Sequence, residues 1–351
     1  MIPIFIISNR PFTGKNFFAI GLALTLKEKG YKIGYVRPLG KIPLRKGEEI
    51  FDEEAVFIKE ILGLEEPLSI ISPFVFTYET QYKLLEGADL KVKEKVLNSF
   101  SSLSDKDFVI VVGANNIFEG YTLGISSINL ANETNGKVIA IQHWDSELAM
   151  DDIFGIKEIT KDKFIGAVIN KIAPEQYHHI KEKVIPFMES NGINVLGAFK
   201  KDKFLEAVTV RRLMEAVNGG VVCCEDKLDE IVENISIGAM DPETALSYFL
   251  RIPNKAVITG VYRTDIQIVA METSTKCLIL TGGMHVSATV TGIAKAKGIP
   301  IIVTSMDTFT AVDRMEKLMG KAVIREKEKA MKAKEIVGRD FDIESFLRKV
   351  K

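Results

Sequence analysis

The chain has 351 residues, enough for about two domains at roughly 150 residues each. With 46% hydrophobic and 26% charged residues it falls among folded globular proteins, not disordered ones. Its 46 basic and 47 acidic side chains leave a net charge of −1, so there is no global field to draw in a polyanion, and no strong local basic patch argues for nucleic acid.

Three cysteines, two of them adjacent at Cys223 and Cys224, cannot make a disulfide framework or a spaced metal knuckle, which points to a reducing compartment. The opening MIPIFIISNR has no basic region ahead of its apolar stretch, and that stretch is too short for a signal sequence or a membrane span. The sequence therefore reads as cytoplasmic, with no membrane partner. Its four histidines show no metal-ligand spacing, and no nucleophile-elbow pattern occurs.

In chain order, short β-branched runs at 2–8, 32–36, 108–113, 137–142 and 164–170 alternate with segments of helical periodicity. The runs are apolar at nearly every position, so both faces of a parallel sheet must be covered, as in a doubly wound fold. A second series begins with a helix expected over AVTVRRLMEAV and continues through GVVCC, KAVIT, CLILT and PIIVT, giving a smaller α/β unit. The joint is expected within 197–207, where Gly, Lys and Asp interrupt the pattern, which sets domains at 1–205 and 206–320. Residues 321–351 carry ten basic and six acidic side chains and read as a solvated, charged helical tail with one packing face.

The first strand runs into SNRPFTGKNFFAIG, where Gly14 and Lys15 open a helix straight after a buried-type strand. At such a bend backbone N–H groups and the positive helix end face an anion, and the lysine reaches its terminal phosphates. Asn9 stands in the first glycine slot of a P-loop string and Asn16 in the slot of the magnesium-binding hydroxyl. A surface lysine beside an ordinary turn is the plain alternative.

This segment resembles the loop of the dethiobiotin-synthetase-like domain, a P-loop relative, and several later segments resemble that family in order and spacing over about residues 1–205. YKIGYVRPLG resembles its second strand, so Arg37 stands where the resemblance implies an active-site lysine; phosphate contact and an ion pair are equally open readings. The segment from Asp52 resembles the acidic metal-side helix and the Ser-Pro stretch after it, although Asp52, Glu53 and Glu54 also read as an acidic helix start. FIGAVINK resembles the strand whose terminal asparagine, here Asn170, reads the nucleotide base; a turn or cap is the alternative. The family's acidic strand end is Val112-Gly113 here, so a magnesium-holding carboxylate is missing. The resemblance thus implies an ATP or other nucleotide site on Thr13, Gly14, Lys15, Asn16, Arg37 and Asn170, with Mg²⁺ support weakened and Asp52 the remaining metal candidate.

In the second series VYRTD and LTGG resemble the signature of the DRTGG domain over about 207–320, with Tyr262 in the usual aspartate slot. The resemblance implies a regulatory role. Arg263, Asp265, Thr281, Gly282 and Gly283 then read either as a ligand site and self-association surface or as a tight turn with a local ion pair. Taken together the chain is similar to the N-terminal regulatory half of long phosphotransacetylases, without the acyltransferase portion. Three readings follow: a nucleotide-binding, metabolite-sensing, homo-oligomeric regulator; an ATP-dependent ligase acting on a small carboxylate or amine, with Lys15 and Arg37 on the phosphates; or a structural adaptor with a vestigial site.

Overall fold

A computed structural model describes residues 1–47, 49–283, 285–319 and 324–350. It divides into a first unit of Met1–Lys201 with Ile324–Lys351 and a second unit of Asp202–Val323. The expected junction between domain and tail at 320 and 321 lies outside the described residues.

In the first unit β1 (Ile2–Ile7) leads into α1 (Lys15–Glu28), β2 (Ile33–Val36), the hairpin β3 (Pro43–Lys46) and β4 (Glu49–Asp52), and α2 (Glu53–Leu62). Then come α3 (Leu68–Ile71), α4 (Tyr78–Leu85), α5 (Val92–Ser102), β5 (Phe108–Val112), α6 (Ser127–Glu133), β6 (Lys137–His143) and α7 (Ala149–Thr160). β7 (Phe164–Ile172), α8 (Tyr177–His179), α9 (Ile185–Ser190) and β8 (Val195–Lys200) complete the run.

Among the described residues six parallel strands pair in the order β2-β5-β1-β6-β7-β8. The apolar runs explain the topology. Phe5 and Ile7 of β1 pack with Val109 and Val111 of β5 and with α5, α6 and α7 in one core, while Ile4 and Ile6 point to the opposite face and are equally buried. β8 occupies 195–200, part of the stretch read from sequence as the joint; its Gly and Lys residues lie on an edge strand, where pairing on one side suffices.

The second unit comprises α10 (Lys203–Glu206), β9 (Val208–Thr209), α11 (Val210–Ala216), β10 (Gly220–Cys223), β11 (Ile231–Val232), β12 (Asn234–Ile237) and α12 (Pro242–Phe249). It continues with β13 (Lys255–Gly260), α13 (Thr264–Met271), β14 (Thr275–Thr281), α14 (Ala288–Lys297), β15 (Ile301–Thr304) and α15 (Thr308–Met319). Its sheet has the order β10-β15-β14-β13-β12, with β10 antiparallel at the edge. α12, α13 and α14 cover one face and α11 and α15 the other. The helix expected over 207–217 starts only at Val210, because Val208 and Thr209 pair with β11 and the Thr209 hydroxyl accepts from the Arg212 amide as the cap.

The last stretch differs most from its expected form. It makes two helices, α16 (Lys327–Asp340) and α17 (Ile343–Val350), that belong to the first unit and are not a solvated tail. Ala330, Ala333, Val337, Phe341 and Phe346 are all buried. Phe341 packs on Phe18 of α1 with ring centroids 5.1 Å apart, Phe346 packs on Phe108 of β5 at 5.9 Å, and the Asp342 amide donates to the Leu196 carbonyl of β8 at 2.7 Å. The charges lie on the other faces, except Lys329, which is fully buried and bridged to Glu326 at 3.2 Å. No helix among the described residues is long and apolar enough to cross a membrane.

Contact between α1 and α16 requires Gly21. A Cβ there would lie 2.5 Å from Val337 Cγ2 and 2.7 Å from the Ala333 carbonyl oxygen. Gly21→Ala is therefore expected to destabilise the first unit by about 1–3 kcal/mol through overpacking, against a gain of about 1 kcal/mol in helix propensity. Urea unfolding followed by fluorescence of Trp144, the single tryptophan, which is buried in this unit, measures the loss; an unchanged or raised midpoint would disprove the tight seating.

Candidate functional site

The bend after β1 is built from two left-handed residues, Phe12 at φ 57° and Gly14 at φ 100°. Such alternation turns successive amides toward one hollow, and the strain at Phe12, a non-glycine residue in this region, is about 1–2 kcal/mol. α1 starts at Lys15 with no side-chain cap, so its first-turn amides are not taken up by a capping group. The Lys15 ammonium folds back under the loop, donating to Ser8 Oγ at 2.5 Å and the Arg10 carbonyl at 3.3 Å, while Ser8 Oγ donates to that same carbonyl at 2.7 Å. Burial, reinforced by the Arg37 charge, pushes its pKa down to about 8.

Asn170 at the end of β7 closes the loop from behind. Its Nδ2 donates to the Thr13 carbonyl at 2.9 Å and lies 2.0 Å from where a Cβ on Gly14 would fall, so only glycine fits there. Asn9 and Arg10 tie the outer side of the loop to α7: Asp152 accepts from Asn9 Nδ2 at 2.9 Å and Gln142 Nε2 at 3.1 Å and ion-pairs with Arg10 Nε at 2.7 Å. Arg10 also pairs with Asp145 at 3.0 Å. The Thr13 hydroxyl is buried with no hydrogen-bond partner, an orphan that a ligand in the hollow could satisfy.

On the β2 side Arg37 ion-pairs with Glu54 and lies 3.3 Å from Asp52 Oδ1; its Nε makes no directed hydrogen bond, so the Asp52 contact is electrostatic. Asn16 bridges the same group, donating to Glu54 Oε2 at 2.8 Å and accepting from Arg37 at 3.3 Å. Asp52 is fully buried and accepts from the amides of Lys41, Ile42, Glu54 and Ala55, so it caps α2. Lys41 is ion-paired with Glu119, whose other oxygen accepts from the Asn115 amide at 2.7 Å. Of the residues expected for this site, Thr13, Gly14, Lys15, Asn16, Arg37 and Asn170 come together around the loop.

A divalent ion does not fit these residues as they stand. The oxygens of Asp52 and Glu54 face Arg37 or amides, the Asn16 carbonyl oxygen accepts from Arg37, and Glu119 holds Lys41. Among the described residues no group of three or more His, Cys, Asp or Glu is arranged to hold a metal. Sequence reasoning missed Lys41, Glu119, Asp145 and Asp152. Lys41 is one residue beyond the strand segment quoted for its resemblance, whereas Glu119 sits in a loop without periodicity.

In the second unit Arg263 makes two bonds to Asp265, at 3.0 and 2.9 Å, and a third to the Met240 carbonyl at 2.9 Å. Thr281 Oγ1 bonds Thr308 Oγ1 at 2.7 Å; Gly282 is left-handed at φ 77°, and a Cβ on Gly283 would lie 2.8 Å from Val261. These contacts are those of a tight turn and a local ion pair. Tyr262, in the aspartate slot, is 87% exposed.

A family described as AAA domain matches residues 3–209, more than half of the chain, and the DRTGG domain matches 212–318. The chain belongs to this AAA domain family. It is of the dethiobiotin-synthetase-like P-loop type, and a DRTGG domain follows in the same chain. The ATP-dependent dethiobiotin synthetases BioD of Caldicellulosiruptor bescii and Methanocaldococcus jannaschii are each 28% identical, over 31% and 32% of this chain and 46% and 53% of theirs. The chain spans about half the length of the curated relatives it matches. Among solved structures, the MinD cell division protein of Aquifex aeolicus is 16% identical over 58% of this chain and 84% of that one, at a TM-score of 0.37. Cobyrinic acid a,c-diamide synthase of Mycobacterium smegmatis with bound ADP and magnesium is 15% identical over 58% and 88%, at 0.33. The CBS and DRTGG domains of Clostridium perfringens pyrophosphatase, complexed with the activator diadenosine tetraphosphate, are 18% identical over 46% and 74%, at 0.28.

The lowered pKa of Lys15 has a thermodynamic consequence. Between about pH 8 and the ordinary value of 10.5 the unfolded chain holds the proton that the folded chain has lost, so the contribution of this residue to stability rises with pH. The unfolding free energy of the native protein minus that of Lys15→Met is expected to be flat below pH 8 and to climb from there to 10.5. A difference that stays flat across this window would show that the ammonium is not buried.

Proposed function

We propose that this protein binds a nucleotide through the bend between β1 and α1 and acts as a regulator rather than a catalyst. The observation that carries the reading is the Lys15 ammonium, buried beneath a loop with two left-handed residues and held by Ser8 Oγ and the Arg10 carbonyl, both of which an incoming phosphate can replace. Phosphoryl transfer depends on a positioned metal and cations offsetting the developing charge. Val112 at the end of β5 and Asn16 at the start of α1 supply neither a carboxylate nor a hydroxyl, so Mg²⁺ is a weak partner in this reading. The DRTGG domain fits a sensing role, in which the second unit answers a small metabolite or mediates self-association. A similarity to the regulatory half of long phosphotransacetylases is part of this reading, and three free cysteines accord with a cytoplasmic place for it.

An ATP-dependent ligase is the second reading, favoured by one observation. Glu119 places a carboxylate in the loop after β5, the strand whose acidic end is missing, where it pairs with Lys41.

Calorimetric titration with ADP tests the site. Lys15→Ala is expected to weaken binding about tenfold or more, the share of one charge-assisted contact. Native affinity is expected to fall as pH rises through about 8, where the ammonium loses its proton. Equal affinities for the native and variant proteins would reject the site. Sedimentation across a concentration series tests self-association: a dimer or larger assembly is expected, and a monomer throughout would remove that part of the reading.

A further inference from the structure

The charges around the loop are matched almost one to one. Arg37 faces Asp52 and Glu54, Lys41 holds Glu119, and Arg10 lies between Asp145 and Asp152. With Lys15 these side chains present four cations against five carboxylates. Arg37 and Lys41 oppose Glu54 and Glu119 in the field at the Lys15 ammonium itself. Among the described residues these four cations leave no surplus of positive charge for a polyphosphate, and each of the five carboxylates is already engaged.

The number of phosphates then decides what can enter. A triphosphate brings about four negative charges; without its metal it meets no net attraction, and with it one of the resident ion pairs must break to make room for the ion. A phosphate monoester carries only about two charges at neutral pH, since its second pKa is about 6. The loop amides, the positive end of α1 and Lys15 are enough for that.

We propose that the cradle selects a ligand of low charge, a nucleoside monophosphate or a similar phosphate monoester bound without a divalent cation, and that Glu119 sets this limit by holding Lys41. The inference rests on the nucleotide-binding reading above and narrows it. Glu119 and Lys41 are about 30% exposed, so their pair can open toward a ligand, and Lys41 is held by a carboxylate on another loop. Removing the Glu119 charge adds one positive charge to the site and should favour ligands in proportion to their own charge. A purely structural role for Glu119 would shift all ligands alike.

The test is calorimetric titration of the full chain with AMP, ADP, ATP and glycerol 3-phosphate, each in EDTA and in Mg²⁺. AMP is expected to bind about tenfold more tightly than ATP, with the order unchanged by Mg²⁺. Weaker binding of glycerol 3-phosphate than of AMP identifies a nucleotide, and equal binding identifies a monoester site; both support the charge limit. Glu119→Gln is expected to narrow the gap between AMP and ATP by about fivefold, and Lys41→Met to widen it, with the Trp144 unfolding midpoint reporting that each variant folds. Tighter binding of Mg²⁺-loaded ATP than of AMP, or an equal effect of Glu119→Gln on every ligand, overturns this proposal and leaves nucleotide binding standing. Binding of none of the four overturns both.

Discussion

The left-handed bend at Gly14, pressed against Asn170, is the constraint on which the rest of the first unit's chemistry depends. Because no Cβ fits between that backbone and the end of β7, the chain must turn where it does, and α1 must begin at Lys15. The ammonium is then carried under the loop to Ser8 and Arg10. Phe12 accepts an unfavourable conformation in the same turn, and the contacts of Asn9 and Arg10 to Asp152 offset that strain from outside. The loop is thus fixed from outside by Asp152 and from behind by Asn170.

On the other side of Lys15 the structure arranges charge for balance. Among the described residues Asp52, Glu54 and Glu119 are each answered by a guanidinium, an ammonium or a set of amides. Arg37, in the position of a lysine in the family it resembles, is the centre of this arrangement. A planar guanidinium reaches two carboxylates and Asn16 at once, which a lysine could not do with the same geometry.

How much of this could be read from sequence depended on the range of the interaction. Five of the six strands of the first sheet were legible because continuous apolar runs report burial on both faces, whereas the edge strand β8 overlaps the stretch read as a joint; the strand-to-helix bend was legible because Gly14 and Lys15 follow such a run directly. Asp52 as a helix cap is a local effect and was among the readings available. Lys41, Glu119 and Asp152 were not legible: each meets a partner 78 to 143 residues away in sequence, from a loop or helix start with no periodic signal. In the C-terminal segment the helical form and one packing face were legible, but not what that face covers: Ala330, Ala333 and Val337 are buried, and Ala333 and Val337 meet α1 at Gly21, near the opposite end of the chain.

That segment also fixes the order in which the molecule can be completed. The second unit interrupts the first between Lys201 and Ile324, so the helix that covers α1 leaves the ribosome only after the whole of the intervening unit has been made. Until then Phe18, Phe108 and Gly21 lack the cover that α16 and α17 provide, and a nascent chain exposes an aromatic surface for the time needed to synthesise more than a hundred residues. A gene that lost the interrupting unit would have to rejoin the flanks in frame, because simply stopping early would leave α1 and β8 without the helices that pack on them.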